Sequence, residues 1–180
     1  MGKDDRKYPY DKIFAAADLA TQWGRDQIPE VKMLLNDSDS AVRYWGVVGI
    51  LNRGADAIQA SEKELLTVLE DDSSYVRIAA AYAFGKYGNQ TQQRKGIDVL
   101  VDVAPWEKGT DVFVSMTALN AIDKLDGKAS YAIEAIRSFP QKGGFSPHGR
   151  YNRYVGRILV KTLQDLDGSS RQQSENKNKK

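Results

Sequence analysis

At 180 residues, with 41% hydrophobic side chains and 15 glycines, the chain has the make-up of one globular domain burying roughly two-thirds of its unfolded surface. It has no cysteine, which excludes disulfides, thiol catalysis and metal centres built on thiolates. The formal net charge of +2 sits at the ends: residues 169–180 carry +3 and residues 1–7 carry +1, leaving residues 8–168 at −2, a balance that counts against a nucleic-acid binder.

In chain order, residues 1–7 are a charged head without the apolar stretch of a signal peptide, and are expected to be flexible. No run approaches about 18 apolar residues, so no membrane span and no membrane partner are expected. Apolar residues at i, i+3, i+4 spacing then predict helices near 10–22, 28–36, 40–53, 62–70, 74–87, 93–104, 111–125, 129–139 and 150–166. Short breaks separate them at Gly54, Gly88-Asn89, Asp126-Gly127 and Gly143-Gly144. No period-two alternation flanked by turn dipeptides appears, so no sheet is expected. Residues 169–180, "SSRQQSENKNKK", are polar and free of aromatics, and read as disordered. Residues 8–168 are thus the expected folded domain.

Within it the chain repeats itself. "DSDSAVRYWGVVG" begins at Asp37 and "DDSSYVRIAAAYA" at Asp71, 34 residues on. That shift places Val42-Arg43 on Val76-Arg77, Gly46 on Ala80, Gly49 on Ala83 and Gly54 on Gly88. A further shift of 38 places Val76 on Val114, Ala80 on Ala118 and Ala83 on Ala121, with a loop containing "APWEKGTD" four residues longer. In the preceding helices Val31, Leu65 and Val99 are aligned, as are Leu35, Leu69 and Val103. The unit is helix, acidic turn, helix. Asp and Ser in the turn cap the next helix and favour its positive end; the small residues stand where a neighbouring helix comes close. One unit cannot bury both faces, and stacking units buries them. The expected fold is therefore all-α, an α-solenoid of about eight to nine helices in stacked antiparallel pairs.

The Asp, Val-Arg, small-x-x-small phrase resembles HEAT-like (armadillo-type) repeats more than tetratricopeptide repeats, whose Trp/Gly/Tyr and Pro pattern is absent. In HEAT repeats such Asp and Arg residues form a hydrogen-bonded ladder between units, a role the resemblance implies for Asp37, Arg43, Asp71 and Arg77. The third unit has Gly109 and Ser115 instead, so the ladder should end there. A narrower resemblance rests on "YPYDKIFAAADLAT" (8–21), "DSDSAVRYWGVVGIL" (37–51), "DDSSYVRIAAAYAFGKYG" (71–88), "ALNAIDKLDGKA" (118–129) and "YVGRILVKTL" (154–163), in that order. Together these look like the HEAT-repeat extension at the C-terminus of some exported bacterial sulfatases. This implies a sulfate-ester hydrolase as parent, a periplasmic or secreted location, and a catalytic domain in cis as partner. No catalytic residue carries over: the formylglycine motif Cys/Ser-x-Pro-x-Arg is missing, and "SPHGR" (146–150) has Pro147 directly after Ser146. The chain itself is then non-enzymatic and needs no cofactor. A stand-alone HEAT-repeat adaptor, binding another protein and found in the cytoplasm, is the alternative; a DNA-base enzyme on such repeats would need a basic groove.

Arg43 and Arg77 also have the chemistry of anion ligands. The stretch "QKGGFSPHGRYNRYVGR" (141–157) gathers Lys142, His148, Arg150, Arg153 and Arg157 near Phe145, Tyr151 and Tyr154. Cations beside aromatics suit a sulfated carbohydrate or an acidic protein surface. The plainer reading is a terminal helix with Arg150, Arg153, Arg157, Lys161 and Gln164 on its polar face and Tyr151, Tyr154, Val155, Ile158 and Leu159 on the other. Trp106, in the longer loop, suits either an exposed stacking platform or a staple holding that loop. His148, the single histidine, has no triad or metal-ligand neighbours in sequence. No phosphate loop and no metal-ligand spacing occurs.

Overall fold

The computed structural model describes residues 8–22, 24–106, 111–140 and 151–177. In chain order the helices are α1 (Tyr10–Thr21), α2 (Ile28–Leu34), α3 (Ser40–Asn52), α4 (Ala55–Ala60), α5 (Glu62–Val68), α6 (Ser74–Tyr87), α7 (Gln90–Val103), α8 (Val112–Leu125), α9 (Ile133–Arg137) and α10 (Asn152–Lys177). Tight 3-10 segments precede α2 (Arg25–Gln27) and α9 (Asp126–Ala132). Among the described residues there is no strand, and the all-α helical-repeat class expected from the sequence is what the structure shows. The chain divides into two compact units, Met1–Ala83 and Phe84–Lys180, where the sequence suggests a single folded stretch. The boundary falls inside α6.

In the first unit α3 packs on both α1 and α2. Lys12 of α1 reaches Asp37 just before α3 (2.7 Å), and at the other end Asn52 Nδ2 donates to the Ala20 carbonyl (3.3 Å), so α1 and α3 run parallel. α2 runs antiparallel to α3. A Cβ on Gly46 would lie 2.9 Å from Leu35 and one on Gly49 2.7 Å from Val31, which is the close approach the small residues imply. Asp39 starts α3 by accepting from the amide of Ala41 (2.8 Å), a hydrogen bond that satisfies a free donor of the first turn. Val42, Ile50, Leu65 and Val76 are fully buried, the repeat positions assigned to the core.

The second unit repeats the plan. Asn89 and Gln92 form a reciprocal capping box at the start of α7, and Asp111 caps α8 through the amide of Phe113 (2.8 Å). α8 packs against α7 and α10. Phe113 meets Tyr151 at one end (5.1 Å between ring centroids), and Asp123 meets Lys161 further along (2.8 Å), so α8 and α10 lie parallel. Ile97, Leu100, Leu119, Ile122, Ile136 and Leu159 form the core.

Three expectations change. The outer helix of the third unit buries Ile97, Leu100 and Ala104, while Val99 and Val103 are only half-buried, so its alignment is one residue later than the 34-residue shift gives. The cause is the start of α7, pinned by its own capping box rather than by the acidic turn. α4 is an added helix across a stretch read as a break. Finally, α10 continues to Lys177, through most of the tail read as disordered. That tail contains no proline, and an established helix propagates through Arg, Gln, Ser, Glu and Lys at small cost per residue.

Candidate functional site

Two kinds of site compete: the ladder of charged residues in the first unit, and the aromatic and cationic face of the second. Arg43 donates from Nε and Nη2 to both carboxylate oxygens of Asp71 (2.6 and 2.7 Å), and from Nη1 to the Asp37 carbonyl (2.9 Å). Arg43 and Asp71 side chains are nearly buried, at 12% and 6% exposure. Burial alone would push the Asp71 carboxyl up; the Arg43 hydrogen bonds and the Ser73 amide outweigh it and hold it below the usual carboxylate range. Arg43 is held above its ordinary value by the same Asp71 bond. A guanidinium engaged on both edges has no fork left for an external anion. Arg43 therefore joins one repeat turn to the next. Arg77 donates from Nε to the Leu69 carbonyl (3.1 Å), and Ser115, at the equivalent place in the third unit, is buried with no hydrogen-bond partner among the described residues.

A groove of about 580 Å³ in the first unit is lined by Ile28, Pro29, Lys32, Met33, Ala60 and Glu64, among others. Lys32 and Glu64 pair with each other (2.9 Å), and Lys32 also donates to the Ala60 carbonyl, so the charges in this groove are already matched.

The second unit presents a different surface. Phe113 of α8, Tyr151 and Tyr154 form a contiguous ring cluster, Phe113 to Tyr151 at 5.1 Å and Tyr151 to Tyr154 at 6.2 Å, with the rings inclined at 60° and 39°. Phe113 and Tyr154 remain 44% and 43% exposed. Tyr154 is thus on the open side of α10, not on its apolar face; Val155, Leu159, Thr162 and Leu166 make that face. Arg153 and Arg157 are exposed beside Tyr154. Among the described residues neither has a carboxylate partner, whereas Lys161, on the same helix, is held by Asp123 and Asp165, and Arg137 by Glu134 and Asp167. Both Asp partners, the Asp123 hydrogen bond first, raise the Lys161 ammonium above its ordinary value.

Of the other residues singled out, Lys142, Phe145, His148, Arg150 and Trp23 lie outside the described residues. Trp106 is 1% exposed, so it offers no stacking platform. The sequence reading missed Phe113 as a member of the cluster. The signal was present: the shift of 38 that carries Val76 to Val114 also carries Phe113 to Tyr151. It also missed Arg53, whose guanidinium donates to the carbonyls of Gly24, Gly49 and Leu19 (2.9, 2.9 and 3.1 Å) and to Gln27 Oε1 (3.0 Å). Burial lowers the Arg53 guanidinium from its ordinary value, and its role is to close the C-terminal ends of α1 and α3.

Among the described residues no group of His, Cys, Asp and Glu could hold a metal ion, and no helix is long and apolar enough to cross a membrane. No protein-family model and no curated protein matches the sequence. Among solved structures a designed armadillo repeat protein is similar to the chain, with a TM-score of 0.44, 22% identity, and coverage of 89% of this chain and 78% of that one.

Proposed function

We propose that the chain is a non-catalytic helical-repeat interaction module whose binding face is the Phe113/Tyr151/Tyr154 cluster with Arg153 and Arg157. The observation that carries this reading is an exposed aromatic cluster flanked by two exposed guanidiniums that lack a carboxylate partner among the described residues, whereas Lys161 and Arg137 nearby are held by carboxylates. Exposed aromatics with Arg are the residue types that anchor interfaces. Affinity capture from the source cell with the full chain, followed by residue-resolved crosslinking, tests it. Recovery of one stable partner crosslinked to the chain supports the module; a chain that recovers nothing above a Tyr154→Ala, Arg157→Glu control overturns it.

The finer form of the reading is that the module serves a sulfatase-like hydrolase as a C-terminal accessory domain, its catalytic domain lying outside these 180 residues. Its support is the five phrases in fixed order between residues 8 and 163. The test is the reading frame upstream of Met1. A frame encoding a Cys/Ser-x-Pro-x-Arg motif supports the assignment; an unrelated frame removes it and leaves a stand-alone adaptor. In both cases the isolated chain is expected not to hydrolyse an aryl sulfate.

A further inference from the structure

From the spacing of two exposed arginines we infer that this face takes an extended acidic segment of a protein partner, with carboxylates at alternate positions and an aromatic or large apolar side chain beyond them. The inference rests on the interaction-module reading and names the chemistry of the partner. Arg153 and Arg157 stand one turn apart on the exposed side of α10, about 6 Å along the helix axis. An extended peptide places every second side chain on one face, about 6.6–6.8 Å apart. Two carboxylates in an acid-x-acid pattern therefore meet the two guanidiniums in register, each able to accept a fork of two hydrogen bonds. Adjacent acids would point to opposite faces, and only one would be met.

The ring cluster supplies the rest. Tyr154 lies between the two arginines in sequence, and through Tyr151 it continues to Phe113 on α8. Because the three rings are tilted to one another, they form an uneven, walled surface rather than a flat plate. Such walls suit an inserted side chain, whereas a sugar ring stacks on a single planar platform. Charge points the same way. On α10 from Arg153 to Val160 the charged residues are Arg153 and Arg157, with no acid among them. Further along, Lys161 is neutralised twice over. On this stretch of α10 the charge is therefore wholly positive, and an acidic segment matches it.

Fluorescence anisotropy with the full chain tests this directly. The probe is a labelled peptide reading Gly-Glu-Ser-Glu-Ser-Trp-Gly; companions carry Lys for Glu, or Glu-Glu-Ser-Ser in place of the alternating order. The alternating acidic peptide is expected to bind, the adjacent-acid peptide several-fold more weakly, and the lysine peptide not at all. Arg153→Glu with Arg157→Glu should lower affinity roughly tenfold or more, Tyr154→Ala should lower it several-fold, and about 0.5 M salt should weaken the parent interaction. These positions are exposed, and unchanged circular dichroism would verify that the variants fold. Equal binding of the acidic and lysine peptides, or no effect of the double charge reversal, overturns the inference. So does binding of a sulfated oligosaccharide at these residues without the peptide. If the peptide fails while a captured partner crosslinks to this face, the acidic-segment inference falls and the module reading stands; a partner crosslinked to another face overturns both. If neither peptide nor captured partner binds, both fall.

Discussion

The same letter serves different physics at equivalent places in the repeat. Gly54 has φ 81° and ψ −162°, a backbone region open essentially to glycine alone, and a Cβ there would meet open space. Gly88, 34 residues on, has no such torsion; a Cβ there would sit 2.5 Å from the Phe84 carbonyl oxygen and 2.7 Å from Gln92 Cβ. The alignment exposed both glycines, but letters alone could not separate torsion from crowding. Gly54→Ala is therefore expected to cost about 1–3 kcal/mol through the backbone only, read as a lower denaturation midpoint in chemical unfolding with unchanged native circular dichroism. Thr162 supplies the opposite case. Its hydroxyl is fully buried with no hydrogen-bond partner among the described residues. Thr162→Val removes the desolvated group at nearly constant volume and should raise stability by about 1 kcal/mol. A lower melting temperature would mean that the hydroxyl is satisfied in solution.

Helices that carry the repeated phrase were legible because their pattern serves packing directly: Val42, Val76 and Val114 are all buried, and so are Ile50, Phe84 and Ile122. What escaped was set by partners distant in sequence or by weak local signal. α4 has six residues, too few for two turns of apolar spacing to register. The side of α10 that carries Tyr154 stays open in the sequence because a tyrosine suits a buried and an exposed stripe equally well. Arg53 escaped because its acceptors are main-chain carbonyls up to 34 residues away, which leave no mark in side-chain identity. Its geometry nonetheless yields a sharp expectation. Arg53→Lys keeps the charge but loses the planar fork that reaches three separate carbonyls, so it should destabilise by about 2 kcal/mol. An unchanged urea midpoint would show that closing these helix ends contributes nothing net.

For the molecule as a whole, acid is the condition that tests the charge arrangement. Asp37, Glu64 and Asp71 all have lowered values: in each, burial pushes the carboxyl up, and a cation with nearby backbone amides pulls it below normal. Each folded value lies under the unfolded value near 4, so the unfolded chain binds more protons in that window. The stabilisation is present above the unfolded value and is lost as pH falls through the folded ones. The melting temperature should therefore drop steeply below about pH 4. Asp71→Asn should start lower at neutral pH, by about 2–3 kcal/mol because Arg43 loses its bidentate, nearly buried partner and keeps only the exposed Asp72 carboxylate, and should lose less on acidification. A parallel acid profile for the two proteins would assign the transition to other groups. The link between Arg43 and Asp71 also bears on how such an array can lengthen over evolutionary time. A tandem duplication of the first or second copy would supply, at the new junction, both an arginine reaching forward and an aspartate waiting to receive it. A copy of the third, with Gly109 and Ser115 at those places, would add another joint without its clasp to the one the sequence already carries, so growth should cost least in the N-terminal part of the array.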